Sequence, residues 1–130
     1  MLLDYIEVHR YNIRMETLER VKGERCCEVT APSLTPSAAE RLAADFDILA
    51  HPIRLQLLDM LARHGGKVCV CDLEASVPVK QPTVSHHLKL LRAAGLIEWE
   101  KRGLWSYYFV NEKAVRRLRT RITETLNAYL

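Results

Sequence analysis

The chain has 130 residues, of which 48% are hydrophobic and 27% are charged, and it carries a formal net charge of +3. This length and composition are those of a soluble globular domain that is large enough to bury a core. They exclude a membrane-spanning protein, because no apolar run approaches the ~18 residues of a span. The first residues also lack the basic and apolar regions of a secretory signal, so we expect a cytoplasmic protein without a membrane partner.

The positive charge is concentrated in the C-terminal half of the chain. Residues 79–121 contain ten Lys and Arg against three Glu, whereas residues 1–78 contain nine Lys and Arg against twelve acidic residues. Binding to a phosphate backbone requires such a basic region. A basic surface that is only solvated explains the same excess, so the charge alone leaves both interpretations open.

Composition divides the chain into an N-terminal extension, residues 1–34, and a domain, residues 35–130. The extension is polar and mixed, and we expect a strand or a short helix within residues 5–21. Proline and serine near residue 34 predict a linker, in which Thr35 or Ser37 caps the first helix.

Helical spacing of apolar residues, interrupted by Pro and Gly, predicts four helices before residue 95. They are expected at residues 37–50, 52–64, 71–77 and 81–94. Leu42, Phe46 and Leu49 share one face of the first helix. The apolar stripes that we expect to face the core hold Ile53, Leu57, Leu58 and Leu61 in the second helix, and Val84, Leu88 and Leu91 in the fourth.

The region after Gly95 predicts a hairpin and a last helix. Residues 96–100 and 105–110 alternate in polarity around a turn that contains Gly103, which predicts a two-stranded hairpin with a basic tip. The last helix is expected at residues 112–128. The order of helix, short helix, turn, helix and hairpin is that of a winged helix-turn-helix fold, mainly α within the α+β class.

The fourth helix and the hairpin tip carry the side chains that we expect to contact DNA. Small polar side chains early in a recognition helix suit base edges, and basic side chains suit phosphates. The candidates are Lys80, Gln81, Thr83, Ser85, His86, Lys89, Arg92, Lys101 and Arg102. His86 and His87 project about 100° apart on a helix, so we expect one to face the core and the other DNA or solvent, and we expect no shared metal.

Two stretches resemble the ArsR–SmtB family of metal-responsive bacterial repressors. Residues 50–58, AHPIRLQLL, resemble the family's helix-two entry, and residues 81–97, QPTVSHHLKLLRAAGLI, resemble its recognition helix and the start of its wing. The resemblance covers residues 37–121. It implies a homodimer joined through its first and last helices and bound to double-stranded operator DNA. Lys80 departs from the pattern, because many relatives carry a capping serine there.

Two cysteines, Cys69 and Cys71, stand one residue apart just before the recognition helix. Residues i and i+2 of a continuous helix point to nearly opposite sides, so the two thiols converge on one ion only if the helix begins between or at them. A helix N-terminus lowers a thiol pKa, and sulfur ligands select soft ions. The alternative is that Cys71 is a small core residue and Cys69 an incidental surface thiol.

The resemblance extends to these thiols, because residues 69–73, CVCDL, resemble the family's thiolate metal box. Arsenic-sensing members bind trivalent arsenic through three thiolates, and some carry the third cysteine where this chain has Glu74. The resemblance therefore implies that Cys69 and Cys71 are metal ligands together with Cys26 or Cys27, since some relatives bring N-terminal cysteines across the dimer. The alternative for Cys26 and Cys27 is an exposed pair without a ligand role.

These observations predict a transcriptional repressor, and not an enzyme, that trivalent arsenic or antimony releases from its operator. Four thiolates could instead hold cadmium, lead or zinc, although a vicinal cysteine pair is awkward for tetrahedral chelation. A thiol redox sensor is a third interpretation. A small arsenate reductase would need an oxyanion-cradling loop, and no Gly-rich loop of that type is visible. Residues 112–130 contain no His or Cys, which argues against a zinc site on the last helix.

Overall fold

A computed structural model describes residues 31–130. The strand or helix expected within residues 5–21, together with Cys26 and Cys27, therefore lies outside the described residues, and the division at residue 34 stays a prediction. The described elements are α1 (Pro36–Leu49), α2 (Pro52–His64), β1 (Val68–Cys69), α3 (Val70–Ser76), α4 (Gln81–Ala93), β2 (Ile97–Arg102), β3 (Trp105–Val110) and α5 (Glu112–Asn127). The five predicted helices agree with these bounds to within one residue.

Side chains and a glycine set the ends of the first two helices. The hydroxyl of Thr35 accepts a hydrogen bond from the backbone N–H of Ala38 at 3.2 Å, which confirms the predicted cap of α1. At the start of α2, Nδ1 of His51 accepts from the backbone N–H of Ile53 at 3.2 Å. Gly65 ends α2 with a φ of 70°, a left-handed conformation that favours glycine.

The predicted hairpin is confirmed, and β1 adds a third strand to it. The antiparallel sheet has the order β1-β3-β2. Val68 pairs with Tyr108, and Cys69 pairs with Tyr107. A strand of two residues shows no alternation of its own, and its pairing spans almost forty positions of the sequence. The predicted two-stranded wing therefore lacked this strand.

The core lies between α2, α3, α4, the sheet and the first turns of α5. Its buried hydrophobic residues are Ile53, Leu57, Leu61, Val68, Leu73, Val77, Val84, Leu88, Leu91, Leu96, Ile97, Ala114 and Leu118. The inward stripes predicted for the second and fourth helices are therefore confirmed, except that Leu58 is only half-buried. Each large side chain buried in this way stabilises the fold by roughly 1.5–3 kcal/mol.

The first and last helices leave part of their apolar stripes uncovered. Helix α1 contributes no fully buried residue, and Phe46, on the predicted apolar stripe of this helix, is 41% exposed in a single protomer. Leu126 on α5 is 49% exposed, and Tyr129 just after it is 70% exposed. Nε of Arg121 donates to Oδ2 of Asp45 at 2.7 Å and ties α5 to α1. The two helices therefore lie together and share an exposed apolar surface.

Within residues 31–130, none of the helices combines the length and the apolar character needed to cross a membrane.

Candidate DNA-reading surface and thiol site

Helix α4 divides its side chains between a buried face and an exposed face. The buried face holds Val84, His87, Leu88 and Leu91. The exposed face holds every candidate on this helix, namely Gln81, Thr83, Ser85, His86, Lys89 and Arg92. The structure therefore brings the predicted helix contacts together on one side. It also identifies His87 as the histidine that faces the core.

Lys80 is the N-cap residue of α4, and its side chain makes no capping hydrogen bond, as expected for an ammonium group. The backbone oxygen of Lys80 accepts from the N–H groups of Thr83 and Val84 at 3.0 and 3.2 Å. Pro82 has no N–H, which removes one uncapped donor from the first turn. Lys80 is exposed. As the N-cap residue it lies at the positive end of the helix dipole, where an anion is favoured.

Arg92, in the last turn of α4, stacks on Trp99 of β2. The guanidinium carbon lies 4.5 Å from the centre of the Trp99 ring. Such cation–π contacts contribute ~0.5–1 kcal/mol at exposed sites. This contact joins the recognition helix to the wing. The sequence did not predict this contact, because the alternating pattern of a strand does not reveal which helix residue lies beside it.

At the wing, Lys101 and Arg102 end β2 beside the turn at Gly103. Nε of Arg102 donates to Oε1 of Glu100 at 2.8 Å, and Lys67 pairs with the other oxygen of the same carboxylate. The Lys67 ammonium and the Arg102 guanidinium hold the pKa of Glu100 below its ordinary value. Arg102 is therefore already engaged by a carboxylate in this structure, whereas Lys101 is exposed.

The two thiols of the Cys-x-Cys segment lie together. Helix α3 begins at Val70, and Cys69 is its N-cap residue in an extended conformation, with φ of −63° and ψ of 139°. The Sγ atoms of Cys69 and Cys71 are 2.7 Å apart. The condition set by the sequence, a helix that begins between the cysteines, is therefore met. Cys69 is half-buried and Cys71 is exposed.

The pKa of Cys71 is raised above its ordinary value, mainly by the hydrogen bond to Cys69 and then by desolvation. The expectation that the helix N-terminus lowers the thiol pKa was therefore wrong for Cys71, because the neighbouring sulfur has the larger effect. Two sulfur donors on one side of the junction between β1 and α3 still suit a soft ion. Within residues 31–130, they are not part of any group of three His, Cys, Asp or Glu side chains that could hold a metal.

The thiol site adjoins both elements that carry DNA-contact candidates. Cys69 ends β1, and its backbone pairs with Tyr107 of the wing strand β3. Tyr107 in turn lies opposite Glu100, the residue that engages Arg102. Helix α3, which carries Cys71, contacts α4 and β3. The sequence did not predict the link from β1 to the wing, because a strand of two residues leaves no periodic signal.

An exposed polar face on a recognition helix, a basic wing and a thiol pair beside them define a winged helix-turn-helix regulator of transcription. Residues 51–98 match the model of the bacterial regulatory protein arsR family, and the chain belongs to this family. It is 33% identical over 103 residues to the transcriptional repressor SmtB homolog of Synechocystis sp., covering 79% of this chain and 76% of that protein.

Two further comparisons concern proteins named for arsenic and antimony. The arsenical resistance operon repressor of Bacillus subtilis is 44% identical over 73 residues, covering 56% of this chain and 69% of that protein. The crystal structure of the AntR antimony-specific transcriptional repressor superposes with a TM-score of 0.56 at 27% identity, covering 80% of this chain and 98% of that chain. The predicted family, the winged helix-turn-helix fold and the role as a DNA-binding transcriptional repressor, and not an enzyme, are thereby confirmed.

Proposed function

We propose that this protein is a homodimeric repressor that leaves its operator when trivalent arsenic or antimony binds the thiolates of Cys69 and Cys71. The observation that carries the proposal is the 2.7 Å separation of the two Sγ atoms at the start of α3. Thiolate sulfur is the ligand that soft ions select. The similar proteins named for arsenical resistance and for antimony support the same choice of ion.

A three-coordinate ion needs one more thiolate than this segment supplies. Glu74 stands where some arsenic-sensing members of the family carry the third cysteine, and a carboxylate is a poor ligand for a soft ion. We therefore propose that Cys26 or Cys27 completes the site, from the same protomer or from its partner. Trivalent arsenic or antimony bound there would form three bonds to sulfur, which replace the S–H bonds of the three thiols.

The proposed coupling runs through the two contacts of the thiol site. Any displacement of Cys69 moves the end of β1, which pairs with Tyr107 of the wing. Any displacement of Cys71 moves α3, which contacts the recognition helix α4. Linked sites of this kind are typically coupled by ~1–3 kcal/mol, which lowers operator affinity roughly 5- to 150-fold.

The homodimer is proposed from the uncovered apolar surface of α1 and α5. Phe46, Leu126 and Tyr129 are exposed on one protomer, and a second copy would remove them from water. The two α4 helices of the dimer would then enter successive major grooves of the operator, roughly 34–36 Å apart. The proposed contacts are Gln81, Thr83, Ser85 and His86 to base edges, and Lys80, Lys89, Arg92, Lys101 and Arg102 to phosphates.

The test is operator binding by fluorescence anisotropy with and without arsenite, in a metal-free reducing buffer. We expect arsenite to weaken binding by the wild type and to leave the Cys69→Ser/Cys71→Ser variant bound. Cys26→Ser and Cys27→Ser test the third ligand in the same assay, and a normal response in both variants and in their double variant would exclude the N-terminal pair. Release of the Cys69→Ser/Cys71→Ser variant by arsenite would overturn the proposal.

A repressor that responds to cadmium, lead or zinc, or to thiol oxidation, has the same fold and uses the same sulfurs. The closeness of the two Sγ atoms favours oxidation as the second candidate, because two thiols in contact can form a disulfide when a peroxide accepts their two electrons. Titrating the operator complex with antimonite, cadmium, lead and zinc, and separately with peroxide in metal-free buffer, distinguishes these alternatives. Release by peroxide alone would replace the arsenic proposal with the redox one.

A further inference from the structure

Arg54 on α2 is a charged residue in the core, only 8% exposed, and the proposed DNA and ion contacts do not involve it. Its Nε donates to the backbone oxygen of Ile48 and its Nη2 to that of Asp47, both at 2.7 Å. These carbonyls belong to the last turn of α1, where the helix dipole is negative, and the Asp47 oxygen also accepts from the backbone N–H of Ala50 at 3.2 Å. The C-terminal end of α1 therefore binds the guanidinium and offsets part of its desolvation.

The same guanidinium also reaches the recognition helix. Nη1 of Arg54 lies 3.5 Å from Nδ1 of His87, which is 6% exposed on the inner face of α4. Arginine only donates hydrogen bonds, so Nδ1 has to accept, and His87 has to be neutral with its proton on Nε2. The ring of His51 lies 4.1 Å from the ring of His87, centre to centre. Buried Arg54 and His87 and half-buried His51 form one group, the Arg54 cluster, which joins α1, α2 and α4.

The Arg54 cluster sits directly behind the DNA-reading face of α4. His86 and Ser85, the residues just before His87, are exposed on that face. Because successive residues are fixed about 100° apart around a helix, a rotation or shift of α4 at His87 moves both of them against the bases. Misplacement of a contact side chain by about 1 Å is enough to lose a hydrogen bond to a base edge. The Arg54 cluster is therefore placed to set the orientation of the exposed polar face of α4 relative to the major groove.

We propose that Arg54 is a positioning residue for DNA reading, and that proton uptake by His87 releases α4 and weakens operator binding in acid. The proposal requires that α4 contacts the operator, but it does not require that the cysteines bind an ion. Protonation would replace the accepting Nδ1 lone pair with an N–H group and place a second cation beside Arg54. Both changes break the contact between Arg54 on α2 and His87 on α4.

The surroundings of His87 determine the sign of the pH dependence. The titratable and charged groups that face it in the described part of the chain are His51, Arg54 and His86, and each disfavours a further positive charge. Burial, followed by these neighbours, lowers the pKa of His87 from its ordinary value of 6.5. The folded protein therefore holds His87 neutral at pH 7. The contact is fully present above the ordinary pKa of ~6.5 and is lost as the pH falls through the lowered pKa of His87.

The first experiment measures operator affinity at pH 7.5, 6.5 and 5.5 at constant salt and without arsenite. It is done in a His86→Gln background, because a protonated His86 on the DNA face would itself attract phosphate. We expect affinity to fall as the pH falls through the lowered pKa of His87, by no more than the tenfold per unit that one proton allows. The His86→Gln/His87→Gln variant should bind equally at all three values, since a glutamine oxygen accepts from Arg54 without titrating. An equal fall in both proteins, or no fall in either, would overturn the proposal.

A second measurement keeps the test independent of whether the double variant folds. The histidine ring resonances of the wild type are titrated by NMR with and without operator DNA. If protonation of His87 weakens binding, linkage requires that the operator lowers the pKa of His87. An unchanged or raised pKa of His87 in the complex would contradict the mechanism.

Arg54→Lys tests the positioning role of the guanidinium itself. Lysine keeps the charge but lacks the planar group of five N–H donors that reaches two carbonyls and one imidazole together. We expect a folded variant, checked by circular dichroism, with operator affinity at pH 7.5 reduced at least about fivefold, which corresponds to roughly 1 kcal/mol. Affinity and pH profile equal to those of the wild type would show that Arg54 does not position α4.

Discussion

Replacing Leu73 with Ala tests whether the helix that carries Cys71 is anchored in the core. Leu73 is the buried residue of α3, with no exposed surface. The substitution removes three carbons, which corresponds to ~2.4 kcal/mol of transfer free energy at ~0.8 kcal/mol per carbon. A residual cavity adds to this loss, so we expect the free energy of unfolding to fall by about 3 kcal/mol, within the range of roughly 2–5 for buried Leu→Ala changes.

Leu104→Ala is the matched control for this prediction. It makes the same chemical change at the wing turn, where the side chain is 94% exposed, and it should alter stability by less than about 0.5 kcal/mol. Both variants are unfolded with urea at one protein concentration, because the stability of a homodimer depends on concentration. A loss below about 1 kcal/mol for Leu73→Ala, or equal losses in the two variants, would show that α3 is not held by its buried leucine.

Three further changes test local features. Thr35→Ala should cost about 1 kcal/mol of unfolding free energy in urea, whereas Thr35→Ser, which keeps the capping oxygen, should cost less; equal losses would contradict the cap. Gly65→Ala places a Cβ at a φ of 70° and should lower the free energy of unfolding by about 1 kcal/mol. Gly66→Ala is the control, and an equal loss for both variants in thermal melts would exclude backbone strain as the cause. Glu100→Gln removes the carboxylate that competes with phosphate for Arg102, so operator binding should tighten; unchanged affinity would refute this.

The helices could be predicted from the sequence because their signals are local. Pro52 and Gly65 mark the two ends of α2, and the apolar residues between them repeat at the helical period. The exposed face of α4 could be predicted from the same periodicity, because it lies opposite the buried apolar stripe. For the thiols, only the condition that a helix must begin between or at Cys69 and Cys71 could be derived from the sequence. The structure meets that condition with α3 beginning at Val70.

The remaining features depend on contacts between distant residues. The pairing of β1 with β3 and the stacking of Arg92 on Trp99 join positions that no local pattern relates. Arg54 gave a signal that could have been used, because it lies three residues before Leu57 on the same side of α2 as the buried leucines. A charged residue on a core stripe predicts a buried partner, but its partner, His87, lies 33 positions away. Sequence periodicity therefore locates such a residue without identifying what it binds.

The position of the Cys-x-Cys pair at a junction between strand and helix explains how such a short motif could act as a trigger. Side chains two residues apart lie on opposite sides of a helix but on the same side of a strand. Cys69 ends β1 and Cys71 is the second residue of α3, so their contact would be lost if the helix extended back through Cys69. An ion held by both sulfurs would therefore favour one arrangement of this junction. Since binding free energies are linked reciprocally, an operator that favours another arrangement must weaken ion binding by the same factor that the ion weakens operator binding.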